Sequence, residues 1–405
     1  MTRTYAIDAN PLLGRRTGIG RCVEELVTGL LSKLAEDERL MLYCTPFGHR
    51  LRGCKPEQAM QPWLDHARAR LAIHWTPYPV LRTLWNRGDR PSIDRQLGPI
   101  DAFLGTNYRL PPTGCSRRLT TFYDVALLSD PSLASKAVSH RFRATLTSAA
   151  RRAQRIVTIS EHAKSEIVRQ LSIDSDRVTV LRPGVSLRFH AEGHPERERW
   201  RLQERYGIQG DYVLFVGTTD PRKNLACLLE AFALAGEDAP QRLVLAGQAG
   251  AGSADTRAAI ERLGLKGRVV LTGFVDDDDL PALYRCARLF AFPSLIEGFG
   301  LPVVEAMACG CPVITSNRSC LPEVAGDAAL LVDPLDVGAL AEAIVHVHRD
   351  HIARQDLIVA GRERAQEYSW REYVNGHLSL LRGETIEGEG ASASGERATT
   401  VRAPQ

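Results

Sequence analysis

The sequence predicts an α/β protein built from two doubly wound, Rossmann-like domains that face each other across a cleft. Three observations carry this expectation. Short apolar β-type runs alternate with helical patterns along most of the 405 residues, as expected for parallel sheets covered by helices. The alternation comes in two series, parted by a charged stretch at 190–205 that has no strand pattern. The second series also holds a short buried-strand run, a glycine turn and a helix start in immediate succession over 287–310.

The strands of the first series are expected at 5–9, 40–44, 102–105, 118–122, 155–159 and 177–181. Those of the second are expected at 212–216, 242–246, 269–272, 289–291, 312–315 and 329–332. Helical patterns lie between most of them, for example at 20–34, 224–234 and 337–348. The domains therefore span 1–185 and 210–367, joined by a linker at 186–209 that follows Pro183-Gly184. After Gly383 the chain turns to Glu, Gly, Ser, Ala and Thr, and 383–405 reads as a disordered tail. Doubly wound sheets bind ligands beyond the C-terminal ends of their strands, which places a site between the two domains.

Composition narrows the class. No apolar run approaches the eighteen or so residues of a membrane span. The N-terminus enters a strand without a signal-peptide apolar region. The nine cysteines are scattered with no CxxC pair, which argues against a zinc site or a disulfide framework and fits a reducing cytoplasm. The net charge is only +3, yet the halves differ: 28 Lys+Arg against 17 Asp+Glu in 1–185, and 23 against 31 in the remainder. A basic first half suits an anionic partner such as a phospholipid surface or a lipid diphosphate, and equally a solvated arginine-rich face. The basic helical stretch 136–155 has the same two readings.

The chemistry centres on Glu297-Gly-Phe-Gly-Leu-Pro-Val-Val-Glu305. A glycine turn leading into a helix with Pro near its start is an anion site: free N–H groups and the positive dipole end converge there. Gly298 and Gly300 leave the approach open, with the N–H groups near Phe299, Gly300 and Leu301 as donors. Glu305 is expected in the first helical turn and Glu297 just before the glycines. Carboxylates only accept hydrogen bonds, so both suit the hydroxyls of whatever carries the phosphate. The bland reading is a strand-turn-helix with two solvated glutamates.

The longer string EGFGLPVVEAMACGCPVI, followed by Leu321-Pro-Glu-Val and Ala328-Ala-Leu-Leu-Val-Asp-Pro334, resembles the E-x7-E signature of family 4 retaining glycosyltransferases of the GT-B fold. The resemblance extends over about 5–382 and is strongest over 210–335. It implies that Gly18 and Gly20 of Thr17-Gly-Ile-Gly-Arg21 approach a donor diphosphate from the first domain. It implies that Lys223 of Asp220-Pro-Arg-Lys-Asn224 offsets diphosphate charge, with Arg222 beside it. Many members carry an arginine where this chain has Thr218. Val269–Val275 resembles the strand that cradles the nucleobase; there the Phe274 ring reads best as core packing, its backbone as a base contact. Tyr123-Asp124 stands where many members have His-Asp, and a phenol is no cation near neutral pH. Asp124 could bind an acceptor or sugar hydroxyl, or cap a turn ahead of Pro131. Ser160 reads best as a helix N-cap, and Arg182 stands at the expected hinge. Asp276–Asp279 read as a polar helix start. The final helix, 368–382, is expected to cross back onto the first domain.

The implied reaction moves a sugar from a nucleotide diphosphate sugar with retention, Glu297, Lys223 and Asp124 being the expected catalytic residues. No cofactor and no metal is required, the nucleotide sugar being a co-substrate. The pattern is most similar to bacterial mannosyltransferases of polysaccharide and O-antigen assembly. This favours GDP-mannose as donor and a glycan or polyprenyl-diphosphate-linked acceptor. A cytoplasmic enzyme with peripheral contact at the inner membrane face, and no nucleic-acid partner, is the matching expectation. Two alternatives stay open: a nucleotide-sugar epimerase on the same fold, and a catalytically silent glycan-binding or scaffold protein.

Overall fold

A computed structural model describes residues 2–14, 17–51, 53–130 and 136–385. The first half forms β1 (Arg3–Asp8), β2 (Glu38–Cys44), β3 (Ala69–Ile73), β4 (Ala102–Gly105), β5 (Arg117–Thr121), β6 (Arg155–Thr158) and β7 (Val178–Val180). They make one sheet in the order β3-β2-β1-β4-β5-β6-β7, parallel throughout. The second half forms β8 (Tyr212–Val216), β9 (Arg242–Ala246), β10 (Val269–Gly273), β11 (Leu289–Phe292), β12 (Val313–Ser316) and β13 (Leu330–Val332). Its order is β10-β9-β8-β11-β12-β13, again all parallel. Each sheet reverses its strand order once, between β1 and β4 and between β8 and β11. Both reversals are the switch points where doubly wound sheets bind ligands.

Burial explains why these segments are strands. β11 is Leu-Phe-Ala-Phe with every side chain fully buried, the continuous apolar run of a strand covered on both faces. β3 is absent from the sequence expectation. At the sheet edge its sequence Ala-Arg-Leu-Ala-Ile buries only Ala69 and Ala72, with Arg70 exposed and Leu71 and Ile73 half-buried, so no period-2 pattern marks it.

The linker region is not a bare connector. Pro195–Tyr206 forms a helix whose Arg201 and Arg205 pair with the buried Asp279, and whose Glu198 pairs with Arg285. It is thereby fastened to the second domain. Asp276–Asp279 precede a helix at Leu280–Cys286. The basic stretch is helical over Lys136–Arg152, but several of its arginines are used internally. Arg152 has its side chain buried and bonds to Gly88 O and Asp89. No helix among the described residues is long and apolar enough to cross a membrane. The expected tail lies outside the described residues from 386 onward.

The last helix, Trp370–Arg382, leaves the second domain and packs on the helix Gly18–Lys33 and on β4 and β5 of the first. Its end is anchored by Glu38, whose buried carboxylate accepts from Arg382 Nε and Nη2 at 2.9 and 2.8 Å. The same group takes the Tyr5 hydroxyl at 2.9 Å and the Ala35 N–H at 2.9 Å. The Arg382 bonds, acting against burial, lower the Glu38 carboxyl from 4.5 to about 2. A carboxyl lowered on folding stabilises above its unfolded pKa and loses that contribution as pH falls through the folded value. Urea titrations of the wild type should therefore show stability lost between pH 4.5 and about 2. Glu38→Gln should flatten that slope and lower stability at neutral pH by about 2 kcal/mol. An unchanged slope would show that the anchor carries no such linkage.

Candidate active site in the interdomain cleft

The C-terminal ends of the two sheets enclose a cavity of about 780 Å³. The first domain contributes Thr17, Gly18, Ile19, Arg21, Tyr123 and Asp124 to its wall. The second contributes Gly217, Thr218, Arg222, Lys223, Phe274 and Glu297–Pro302. Most of the sequence-derived site residues meet here, although they come from ends of the chain nearly three hundred positions apart.

The floor is a three-charge cluster. After β8 the chain makes a single 3₁₀ turn, Pro221–Lys223. It ends at Asn224 in the left-handed region (φ 58°), whose side-chain amide donates to Pro293 O and Pro334 O. Asparagine tolerates that backbone better than most residues, so the turn is pinned and both cations aim at the loop after β11. There Lys223 Nζ lies 2.6 Å from Glu297 Oε1, and Arg222 Nη1 lies 2.8 Å from Oε2. Burial alone would raise the Glu297 carboxyl, but the Lys223 and Arg222 charges hold it below the ordinary carboxylate range. Burial pushes the Lys223 ammonium down, opposed by Glu297 and reinforced by Arg222. One carboxylate for two cations leaves the cluster with an excess positive charge in a poorly solvated place, and an anionic ligand would relieve it.

The glycine turn follows. Gly300, at φ 97°, caps the helix Leu301–Ala308, and a side chain there would also strike Leu321. The Leu301 N–H is among those that the helix itself leaves unpaired. A Cβ on Gly298 would come within 2.5 Å of the Tyr123 carbonyl oxygen, so glycine is required where the two domains touch. The Phe299 ring is buried edge-on against Tyr368, which leaves only its backbone for a ligand. Gly20 N–H is taken by its own N-cap, Thr17 Oγ1, at 3.2 Å. Gly18 borders the cavity with nothing near the place of a side chain.

Several expectations need correction. The helix begins at Leu301, which makes Glu305 its fifth residue, beyond the first turn. Glu305 is buried and does not border the main cavity. Phe274 is not core: its ring is 45% exposed and borders the cavity. Tyr123 borders the cavity from among other aromatic side chains. It packs edge-on against Tyr108, and its phenol meets that of Tyr373 on the crossover helix. Thr218 donates to Asp220 at 2.6 Å. Asp124 accepts from the Ala126 N–H at 3.0 Å, a turn-capping contact, while bordering the cavity. Burial pushes its carboxyl up, with Arg222 opposing.

Sequence reading missed the bonds that join the domains. Ser160 caps its helix by accepting from the Ala163 N–H, and its hydroxyl also donates to Gly298 O at 2.8 Å. Glu323 of the second domain accepts from Glu161 N–H and His162 N–H at 3.0 and 3.1 Å, and pairs with Arg182. The only hint in the sequence was the acidic residue of Leu321-Pro-Glu-Val, which gives no sign of its target.

Two parallel-sheet domains closing on a cationic cleft define the GT-B class of enzyme. Comparison with solved structures agrees. Sucrose-phosphate synthase from Thermosynechococcus elongatus superposes with a TM-score of 0.74 at 20% identity, over 95% of this chain and 99% of that one. WaaG, a glycosyltransferase involved in lipopolysaccharide biosynthesis, gives 0.67 at 16%, over 94% and 100%. The sequence profile of the group 1 glycosyl transferases matches residues 197–364. O-antigen chain mannosyltransferase B of Escherichia coli is 36% identical over 272 residues, covering 66% of this chain and 70% of that protein. The serotype-specific mannosyltransferase WbdA of Escherichia coli is 32% identical over 256 residues; 61% of this chain aligns, with 31% of the much longer WbdA. The chain belongs to the group 1 glycosyl transferases, and is a glycosyltransferase enzyme.

Glu297→Ala would leave two cations at the floor without their anion. Chemical denaturation should show a loss of about 3 kcal/mol, the range for breaking a buried pair from one side. An unchanged midpoint would mean that solvent already screens the cluster.

Proposed function

We propose that this enzyme transfers mannose, with retention, from GDP-mannose to a glycan or polyprenyl-diphosphate-linked acceptor in cell-surface polysaccharide assembly. The observation that carries this reading is the Arg222–Lys223–Glu297 floor of the cleft, an excess positive charge beside an open helix N-terminus. The mannose assignment rests on the relatives, O-antigen chain mannosyltransferase B and WbdA.

The donor diphosphate lies against Arg222, Lys223 and the N–H groups near Phe299, Gly300 and Leu301. The nucleoside extends toward Phe274 and the sugar toward Glu297 and Asp124. Gly18 faces the diphosphate from the other domain, whereas Gly20 is buried behind its N-cap bond to Thr17. In the reaction the bond from the sugar's anomeric carbon to the phosphate oxygen breaks, and the acceptor oxygen bonds to that carbon on the same face. The acceptor proton passes to the departing phosphate oxygen, and the nucleoside diphosphate leaves. The cations stabilise the charge that develops on the leaving group, and the cleft walls hold the two substrates in register. Glu297 has both oxygens engaged by cations, which suits it to orienting sugar hydroxyls and not to attacking carbon. Diphosphate charge is met by side chains and backbone, so the reading calls for no metal ion. Glu305 contacts the ribose. The enzyme works in the cytoplasm, with the basic first domain toward the inner membrane face.

Calorimetric titration with GDP, UDP and ADP tests the donor. GDP should bind most tightly, Glu305→Ala should weaken it, and Lys223→Ala should cut turnover by roughly 10²–10³. Preference for UDP or ADP would overturn the mannose donor; binding of none would overturn the transferase reading.

A further inference from the structure

Arg21 is the fourth residue of the first-domain helix Gly18–Lys33, and its side chain reaches into the second domain. Its Nη1 lies 3.0 Å from Glu305 Oε1 and its Nη2 lies 2.5 Å from Asp277 Oδ1. The two carboxylates sit on separate elements, the helix Leu301–Ala308 and the turn after β10. Glu305 Oε2 is taken in turn by the buried Tyr284 hydroxyl at 3.0 Å. Both oxygens of the second glutamate are thus engaged by protein groups. Arg21 borders the main cavity and Glu305 does not, so the guanidinium stands between the cavity and the carboxylate.

The strengths of the contacts make this arrangement reversible. The Arg21 and Asp277 side chains are 28% and 38% exposed, and partly exposed pairs hold weakly. Glu305 is buried and needs a replacement donor before it can lose Arg21. A ribose supplies that replacement, since its hydroxyls donate hydrogen bonds and an arginine fork can swing aside on its long stem. We propose that Arg21 is a positioning residue that screens Glu305 from the cavity and yields it to the donor ribose. Donor binding is thereby coupled to release of a bond between the domains. The inference rests on the proposed ribose contact of Glu305.

The test is nucleotide binding with and without ribose hydroxyls. Among GDP, UDP and ADP the tightest binder is titrated beside its 2′,3′-dideoxy form into the wild type, Arg21→Met, Arg21→Lys, Asp277→Asn and Glu305→Ala. Arg21→Met should bind the ribonucleotide about five-fold more tightly, equivalent to ~1 kcal/mol, with the dideoxy form unchanged. Arg21→Lys, which cannot fork to both carboxylates, should fall between. Asp277→Asn, a surface change, should move affinity the same way and keeps the test alive should Arg21→Met fail to fold. Weaker or unchanged ribonucleotide binding in both variants would overturn the proposal, as would equal tightening for the dideoxy form, which would signify general electrostatics. A separate failure is distinguishable. If the wild type binds both forms equally and Glu305→Ala changes nothing, the ribose contact itself is wrong and the proposal falls with it.

Discussion

One carboxylate shared by two cations organises this molecule. Glu297 joins the loop after β8 to the loop after β11, the two strands that flank the switch point of the second sheet. Without Glu297, Arg222 and Lys223 would repel each other in a place too dry to screen them. With it, the pair becomes a fixed cationic surface aimed into the cleft. The pinning of Asn224 on one side and of Ser319 on the other serves the same end. Ser319 Oγ accepts from the Glu297 N–H and donates to the Glu297 carbonyl, so the backbone that carries the carboxylate is held as firmly as its side chain. Preorganisation of this kind gives fixed charges their catalytic value, because they need no rearrangement as charge develops.

The same short segment also governs how the domains meet. Gly298 lies against the Tyr123 carbonyl and accepts from Ser160. Glu305, seven residues on, holds Arg21. The stretch that presents charge to a ligand is thus the stretch that touches the opposite domain. A ligand that meets this stretch therefore lies against the interface as well. The linker helix Pro195–Tyr206 is bound to the second domain by its arginines, and the crossover helix to the first by Glu38.

The fold was largely legible in the sequence because buried parallel strands are local signals. β8, β9 and β4 lie at the expected residues, each an apolar run between helical patterns. β3 was illegible for the same reason in reverse: an edge strand with an exposed arginine reads as loop. The site divides along a similar line. Gly300, Lys223 and Glu297 act through their own turn and helix, and their neighbours in sequence indicate their placement. Glu305, Tyr123 and Phe274 depend on what another element brings to them. Arg21 covers the first, Tyr373 takes the second, and the turn after β10 exposes the third. No sequence pattern around any of these three carries that information.

The two departures from the family pattern then acquire a physical sense. At Thr218, where many relatives place an arginine, the hydroxyl is occupied with Asp220, and no charge is offered to the cleft. Arg222 stands three residues past the next position, already aimed at the cavity and sharing Glu297 with Lys223. Two cations on one carboxylate leave one positive charge over, as a lone arginine would. At Tyr123 the compensation is different. The phenol turns away toward Tyr373, which ties the crossover helix to the wall of the site and leaves Asp124 as the polar side chain of that loop. Burial raises the Asp124 carboxyl, with Arg222 restraining the rise. The Ala126 N–H, which Asp124 caps, opposes that rise more than Arg222 does, so the charge of this carboxylate rests first on its own turn.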